Sequence, residues 1–182
     1  MRPGLTCGLA GWPRLVLCVF VLALPAAAQF GATGVVSTTT VKVDGITCTT
    51  PLGANIFAVN SWKWEMQQLS SGASSTGGRV GAGRVVASDV SLTKSFDACS
   101  TALALASARG VHLRRVDITQ YDKNSNILIS VRLDDVSISS YKANATATQA
   151  NPGEELTLHF RTIRTTQSRG GFGWDFAANR QL

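Results

Sequence analysis

Residues 127–140 read ILISVRLDDVSISS, and this stretch decides the fold class. From Ile127 to Leu133, apolar residues recur at every odd position, with Ser130 and Arg132 among the residues between them. Alternation with a period of two puts apolar side chains on one face of a β-strand and polar side chains on the other. The stretch therefore predicts a strand with one face buried in a core.

The alternation changes phase within the stretch. The apolar residues lie at odd positions as far as Leu133 and at even positions from Val136, with Asp134 and Asp135 between them. One extra residue in one strand of an antiparallel pair would cause this change, so we predict a β-bulge here. Strand geometry and solvent exposure then explain the two acids better than a catalytic pair does, because no partner acid or base is placed nearby in the sequence.

The same alternation recurs on both sides of this stretch. The segments that show it are residues 40–47, 56–69, 84–94, 116–119, 156–161 and 172–176. In the second of these, Trp62, Trp64 and Met66 share one face. We expect large rings such as these, with Trp174 and Phe176, to pack in a core or an interface.

One segment predicts a helix. Residues 100–109 are rich in alanine and leucine, Asp97 or Ser100 can cap the start, and Gly110 can end it. The polar residues 70–83 and 142–153 predict loops. Seven or eight short strands with one helix predict a mainly β fold, an antiparallel barrel or sandwich with one flanking α-helix.

The start of the chain has the features of a secretory signal peptide. Arg2 and Arg14 are its only charged residues, residues 15–24 are continuously apolar, and residues 26–28 are all alanine. The apolar run is shorter than the roughly 20 residues that a membrane-spanning helix needs. We therefore expect export to the periplasm or the exterior, without stable membrane insertion after cleavage.

We predict cleavage between Ala28 and Gln29, which makes residues 1–28 a signal peptide and residues 29–182 one domain. The net charge then falls from +6 to +4, because two arginines leave with the leader. The remaining arginines are scattered along the chain, whereas nucleic-acid-binding proteins concentrate basic residues on one face or element. We expect a solvated surface and no nucleic-acid partner.

Residues 77–85 read GGRVGAGRV and invite comparison with a phosphate-binding loop. Gly78 and Gly83 have the required separation, but Arg84 and Val85 replace the Lys-Ser/Thr pair. The residues that follow predict a strand, so no helix N-terminus is available to receive phosphates. We interpret the run as a flexible loop.

Motifs for other chemistry are also missing from the sequence. His112 and His159 are the only histidines, and neither has the spacing of a metal ligand pair. No serine lies in a Gly-x-Ser-x-Gly turn. We expect no catalytic, metal or cofactor site.

Two cysteines, Cys48 and Cys99, remain after removal of the leader. Two thiols in an exported chain favour a disulfide, since exported proteins meet an oxidising environment. The alternative is two buried thiols that never meet, and the sequence alone does not decide between them.

The order of these elements resembles the Hcp family, whose members are tube subunits of type VI secretion systems. Residues 61–64 (SWKW), the Ser/Gly-rich loop, residues 90–94 (VSLTK) and the helix after Asp97 follow the family's order. The later matching stretches are residues 116–119 (VDIT), 133–140 (LDDVSISS), 155–160 (ELTLHF) and 173–175 (GWD). The resemblance covers roughly residues 40–178 and rests on ordered spacing.

The resemblance implies a β-barrel with a flanking helix that assembles as a homohexameric ring. It further implies stacked rings, a lumen that holds effector proteins, contacts with other secretion-system components, and no enzymatic activity. Residues 70–83 correspond to the family's extended loop that reaches a neighbouring ring. The candidate contact residues of that loop are Gly77, Gly78, Arg79, Gly81, Gly83 and Arg84.

The predicted leader departs from the family pattern, because tube subunits assemble in the cytoplasm without one. One explanation is a relative that kept the fold and works in the periplasm or outside, as a structural or binding module independent of a contractile machine. The other is a misplaced start codon. The ordered basic, apolar and small-residue regions of residues 1–28 favour the first explanation.

Overall fold

The computed structural model describes residues 37–69, 83–146 and 151–182. Within them lie thirteen strands and one helix. Their bounds are β1 Thr38–Asp44, β2 Thr49–Thr50, β3 Gly53–Ala54, β4 Ile56–Val59, β5 Ser61–Lys63, β6 Met66–Gln68, β7 Val85–Ala87, β8 Val90–Ser95, α1 Ser100–Arg109, β9 His112–Tyr121, β10 Ile127–Asn144, β11 Gly153–Gln167, β12 Gly170–Asp175 and β13 Arg180–Gln181. The predicted cleavage site, Ala28 and Gln29, lies outside the described residues.

The strands bury one face, as their sequence alternation requires. In β1, Val41 and Val43 are buried while Lys42 between them is exposed. Strands β8 to β11 contribute most of the other apolar side chains of the same core, among them Leu92, Val116 and Leu133. The predicted fold class, mainly β and antiparallel with one helix, is confirmed.

The antiparallel pairs close into a barrel. Strand β1 pairs with β9, β9 with β10, β10 with β11, and the first half of β11 with β8. The circuit closes because β4 pairs with β1 while β5 pairs with β8, and between them the Asn60 N–H donates to the Thr93 carbonyl at 2.7 Å. The second half of β11 instead pairs with β12, which extends the sheet beyond the barrel.

The predicted phase change in β10 is present, but its cause is different. Leu133 and Val136 are both buried, and the register of β10 against β9 and β11 is the same before and after them. Asp135 has a φ of 54° and is not a register partner of any residue in β9 or β11. The alternation of buried and exposed residues also changes phase in β9 and β11, next to the same position of β10. The prediction of an inserted residue was therefore wrong here; the register shift between β10 and β11 lies at Ile138/Ser140.

The predicted strand over residues 56–69 is three strands, because the chain changes partner twice. Asn60 ends the pairing with β1, and after Lys63 the chain leaves the barrel to form β6 against β7. Trp62 and Trp64 pack against the core as partly buried side chains, whereas Met66 is 45% exposed. The three residues therefore do not share one environment.

Helix α1 ends as the sequence predicts, at Gly110 with a φ of 61°. That left-handed conformation suits glycine, and the Gly110 N–H bonds back to the Ser107 carbonyl. Its start differs slightly, since Cys99 rather than Asp97 or Ser100 is the N-cap residue. The Asp97 carboxylate still accepts the Cys99 N–H at 2.8 Å. Leu103 fixes the helix to the core.

Candidate assembly site

A two-stranded arm leads from the barrel to the Ser/Gly-rich loop. We call β6 and β7 the β6–β7 arm; Met66 lies opposite Ala87, and the Leu69 N–H donates to the Arg84 carbonyl at 3.0 Å. Met66 and Leu69 are 45% and 54% exposed. The arm thus presents apolar side chains to solvent, as protein-contact surfaces do.

The end of the arm from which the loop leaves is tied to the end of the chain. The Val85 N–H donates to Asn179 Oδ1 at 3.0 Å, and the Arg84 guanidinium donates to the Phe176 carbonyl at 3.4 Å. These bonds fix the position of Arg84 and Val85, where the chain enters β7. Of the predicted loop contacts, Gly83 and Arg84 are described; the other four, Gly77, Gly78, Arg79 and Gly81, lie outside the described residues.

An exposed charged face covers strands β1, β9, β10 and β11. Its ion-paired members are Asp44, Arg115, Asp117, Arg132, Asp134 and Arg164, and Lys42 lies opposite Asp117 on the same face. Arg132 Nε lies 3.1 Å from Asp117 Oδ1, Arg115 Nε lies 3.6 Å from Asp44 Oδ2, and Arg164 contacts Asp134. Each of these acids lies next to an arginine, so the face is hydrophilic but has little net charge.

The two acids at the phase change point to different partners. Asp134 pairs with Arg164 and accepts the Thr162 hydroxyl at 3.1 Å. Asp135 lies 3.2 Å from Nδ1 of His112. Each has a structural partner of its own, and the two carboxylates do not form a shared acid pair.

A buried polar cluster joins the helix start to the barrel. We call it the Lys94 cluster; it consists of Lys94, Asp97, Ser100, Tyr141 and Glu154. The Lys94 ammonium lies 2.7 Å from Glu154 Oε2 and 3.0 Å from Asp97 Oδ1, and it donates to Ser100 Oγ at 3.1 Å. Because three strands and the helix supply its members, the cluster fixes the helix start on the sheet.

Inside the cluster, the Tyr141 hydroxyl donates to Glu154 Oε1 at 2.6 Å. Burial, and then this hydrogen bond and the Glu154 charge, raise the pKa of the Tyr141 phenol well above its usual value. The phenol therefore stays protonated and donates. The sequence analysis did not identify Lys94 as a buried residue. Its position could have indicated burial, because Lys94 follows Val90 and Leu92 on the buried face of β8.

Cys48 and Cys99 form a disulfide in the structure, with their Cα atoms 5.0 Å apart. It joins the β1–β4 connection, residues 45–55, to the N-cap of α1. The start of the helix is therefore held from two sides, by the Lys94 cluster and by the disulfide.

The histidines lie on the surface, in one row of the sheet. His112 and His159 are both register partners of Ser137. His112 pairs with Asp135, and His159 Nδ1 lies 2.9 Å from Asp89 Oδ1. Over residues 37–69, 83–146 and 151–182, no three His, Cys, Asp or Glu side chains lie close enough to hold a metal ion.

The remaining aromatic side chains support the end of the sheet. Trp174 and Phe176 are partly buried against the core, and Phe176 meets Phe160 edge to face with ring centroids 5.6 Å apart. They therefore pack as the sequence predicts.

A family model described as type VI secretion system effector, Hcp, matches residues 39–167. The match spans the barrel from β1 to the end of β11, and the class of protein that it defines has the fold of type VI secretion Hcp proteins. The chain belongs to the Hcp family.

Solved structures share the fold. A type six secretion system protein is 19% identical with a TM-score of 0.70, over 81% of this chain and 100% of that one. Hcp1 from Salmonella typhimurium is 20% identical with a TM-score of 0.66, over 80% and 99%. A type VI secretion system effector from Yersinia pestis is 20% identical with a TM-score of 0.58, over 75% and 98%. At these identities the likeness concerns the fold.

A search of curated proteins gave no match. In the part of the chain that the structure describes, no helix is both long and apolar enough to cross a membrane.

Proposed function

We propose that this protein is a ring-forming tube subunit that works as a homohexamer in stacked rings. The observation that carries the proposal is the family match over residues 39–167, which covers the closed barrel and its helix. The role is structural, without enzymatic activity. Its partners are copies of itself, other secretion-system components, and effector proteins carried or chaperoned in the lumen.

The exposed apolar side chains support assembly with further copies. Met66 and Leu69 extend from the β6–β7 arm, and Ile127 and Leu128 are 56% and 45% exposed at the turn between β9 and β10. One pair lies on the arm and the other at the β9–β10 turn of the barrel, which suits contacts in which different surfaces of neighbouring copies meet. Single exposed apolar residues are common, whereas two exposed apolar residues close together in the chain are typical of a contact surface.

The test is the assembly state of residues 29–182. Light scattering on the purified domain is expected to give six times the monomer mass, and negative-stain images are expected to show rings. A double change, Met66→Glu with Leu69→Glu, should weaken assembly or stacking, while Thr93→Ser on β8 serves as the control. A monomer at high concentration would contradict the proposal.

The loop proposal has its own test at Arg84, which ties the loop base to the Phe176 carbonyl. Arg84→Ala should leave single rings intact and reduce the share of stacked rings in images, because the residue at which the loop returns loses its bond to the Phe176 carbonyl. An unchanged stacking distribution would show that the loop base does not set the contact.

A second candidate function is an exported Hcp-like module that acts in the periplasm or outside the cell, independently of a contractile machine. The leader-like residues 1–28 and the disulfide favour it, because disulfides persist in oxidising compartments. Deletion of residues 15–24 should abolish export if this candidate is right. Mass spectrometry of the mature N-terminus should find Gln29 as its first residue; an intact leader, or a start further along the chain, would count against it.

A further inference from the structure

We propose that a cavity over strands β9, β10 and β11, on the charged face, is a carboxylate-binding site that takes acidic side chains of a partner protein. The inference deepens the proposed function and rests on it, since the partner is then a carried effector protein. Such a site gives the subunit a preference for partners with an acidic surface.

The cavity has a volume of about 190 Å³ and is lined by Asp117, Ser130, Arg132, Arg164 and Thr166. Arg132 on β10 is the register partner of Asp117 on β9 and of Arg164 on β11. Ser130 is the register partner of Thr166, so the lining forms two neighbouring rows on one side of the sheet. Pockets for whole small molecules measure roughly 300–1,000 Å³, so this cavity suits a group of side-chain size.

The two arginines lie directly opposite each other on β10 and β11. Like charges in that arrangement destabilise a sheet unless they are compensated. Each guanidinium is held by one acid: Arg132 Nε donates to Asp117 Oδ1 at 3.1 Å, and Arg164 Nη1 donates to Asp134. These contacts compensate the pair and position both guanidinium groups at the cavity.

The lining keeps many hydrogen-bond donors free. In the described part of the chain, the Arg132 Nη atoms and the Arg164 Nε and Nη2 atoms have no hydrogen-bond partner. The hydroxyls of Ser130 and Thr166 have none there either. The carboxylate of the lining, Asp117, already accepts from Arg132. A ligand that only accepts hydrogen bonds therefore fits the cavity.

The charge of the lining favours a ligand with a single negative charge. Two guanidinium groups and one carboxylate leave one positive charge. A carboxylate neutralises it, whereas Asp117 and the nearby Asp134 repel a doubly charged phosphate. A guanidinium also binds a carboxylate through two parallel N–H···O bonds, and Arg132 has both Nη atoms free for them.

A protein with several acidic side chains is the partner that gains most from this site. Arg132 and Arg164 are about half exposed, so the contact with one carboxylate is weak. In the proposed ring every copy contributes the same cavity. A partner with several carboxylates therefore engages several copies at once and gains affinity by multivalency, which a small free carboxylate does not.

The test measures binding of fluorescein-labelled hexaglutamate to the purified protein by fluorescence anisotropy. We expect saturable binding to the wild type. Arg132→Gln and Arg164→Gln should each raise the Kd by about tenfold or more, because each removes charge-assisted hydrogen bonds. Unlabelled hexaglutamate should compete better than acetate, and inorganic phosphate should compete no better than acetate.

Further variants separate the site from general attraction between charges. Arg109→Gln removes an exposed arginine at the end of α1, outside the cavity, and should bind like the wild type. Arg132→Lys keeps the charge but loses the planar pair of donors, so the Kd should rise nearly as far as for Arg132→Gln. Ser130→Ala with Thr166→Val should raise the Kd by about threefold. Circular dichroism and light scattering check the fold and assembly of each variant.

Equal losses in Arg109→Gln and Arg132→Gln would overturn the inference, because overall charge would then explain the binding. An assembled wild type that does not bind hexaglutamate would also overturn it, and so would stronger competition by phosphate than by acetate. Binding by the monomer but not by the assembled protein would show that a neighbouring copy covers the cavity. All four outcomes leave the proposed function standing, whereas a wild type that is monomeric in light scattering would remove that function instead.

Discussion

The barrel contains two groups of ion pairs that use the same chemistry in opposite surroundings. In the Lys94 cluster, the side chains of Lys94 and Glu154 are both fully buried. In the charged face, Arg132 and Arg164 are 46% and 45% exposed. Water screens the exposed pairs, whereas a buried charge that loses its partner cannot be solvated. Burial, rather than the number of ion pairs, decides which charged side chains the fold depends on.

The largest expected effect comes from breaking the buried pair. Glu154→Gln removes the carboxylate and leaves the Lys94 ammonium without its nearest counter-charge, so the free energy of unfolding should fall by about 3–5 kcal/mol. Urea unfolding of residues 29–182, followed by circular dichroism, measures the change.

The neighbouring acid is the matched control. Glu155 pairs with Lys142 at 3.5 Å in an exposed position, and Glu155→Gln should cost less than about 1 kcal/mol. Equal losses of unfolding free energy for Glu154→Gln and Glu155→Gln would show that burial does not make the Lys94–Glu154 pair more important than the exposed Lys142–Glu155 pair.

The second largest effect is expected at the other support of the helix start. The disulfide closes a sequence separation of 51 residues, so replacing both cysteines with serine should cost about 2–4 kcal/mol through the entropy of the unfolded chain. Urea midpoints with and without dithiothreitol during refolding measure the loss. A variant as stable as the oxidised wild type would show that the Lys94 cluster suffices to hold the helix start.

The elements that could be predicted from the sequence are those whose pattern is local. Alternation predicted the strands β1, β8, β10 and β11, because each buries one face, and the Ala- and Leu-rich run predicted the helix within its observed bounds. Pairing could not be predicted in the same way. Residues 56–69 alternate without interruption although the chain changes partners at Asn60 and again after Lys63.

The candidate site was harder to predict for the same physical reason. The phase change at Asp134 was visible in the sequence. Whether one strand gains a residue or three paired strands change phase together depends on the strands next to β10, which the sequence does not identify. Lys94 lies on the buried face of its strand, but only the fold reveals that Glu154, 60 residues later, neutralises it. Contacts between distant residues carry the site, and a single sequence does not display them.

A third, intermediate case is Asp175, which is 6% exposed and lies on the extension of the sheet. It accepts the Ala178 N–H at 2.9 Å and pairs with Arg161 at 3.5 Å. The hydrogen bond from the Ala178 N–H lowers the pKa of this carboxyl, and the positive charge of Arg161 lowers it further. Together they outweigh desolvation, which raises the pKa. Its stabilising contribution is present above the ordinary aspartate pKa of about 4 and is lost as the pH falls through the lowered value.

Asp175→Asn should therefore make the protein less stable at about pH 6, with the difference from the wild type shrinking as the pH falls below the ordinary aspartate pKa of about 4. Urea midpoints across that pH range measure this convergence. A difference that stays constant with pH would show that the charge of Asp175 does not contribute.

The smallest effect is expected on the charged face. Arg132→Gln breaks the pair with Asp117, and the loss of unfolding free energy should be at most about 1 kcal/mol and should vanish in 1 M salt, where the screening length is about 3 Å. Lys42→Gln is the control, since Lys42 makes no ion pair within the described parts of the chain. A loss above about 2 kcal/mol that persists in salt would mean that water does not reach this face. If a loss above about 2 kcal/mol appeared only in the assembled protein, a neighbouring copy would cover the charged face. The difference between exposed pairs on this face and the buried pair of the Lys94 cluster would then apply to the monomer alone.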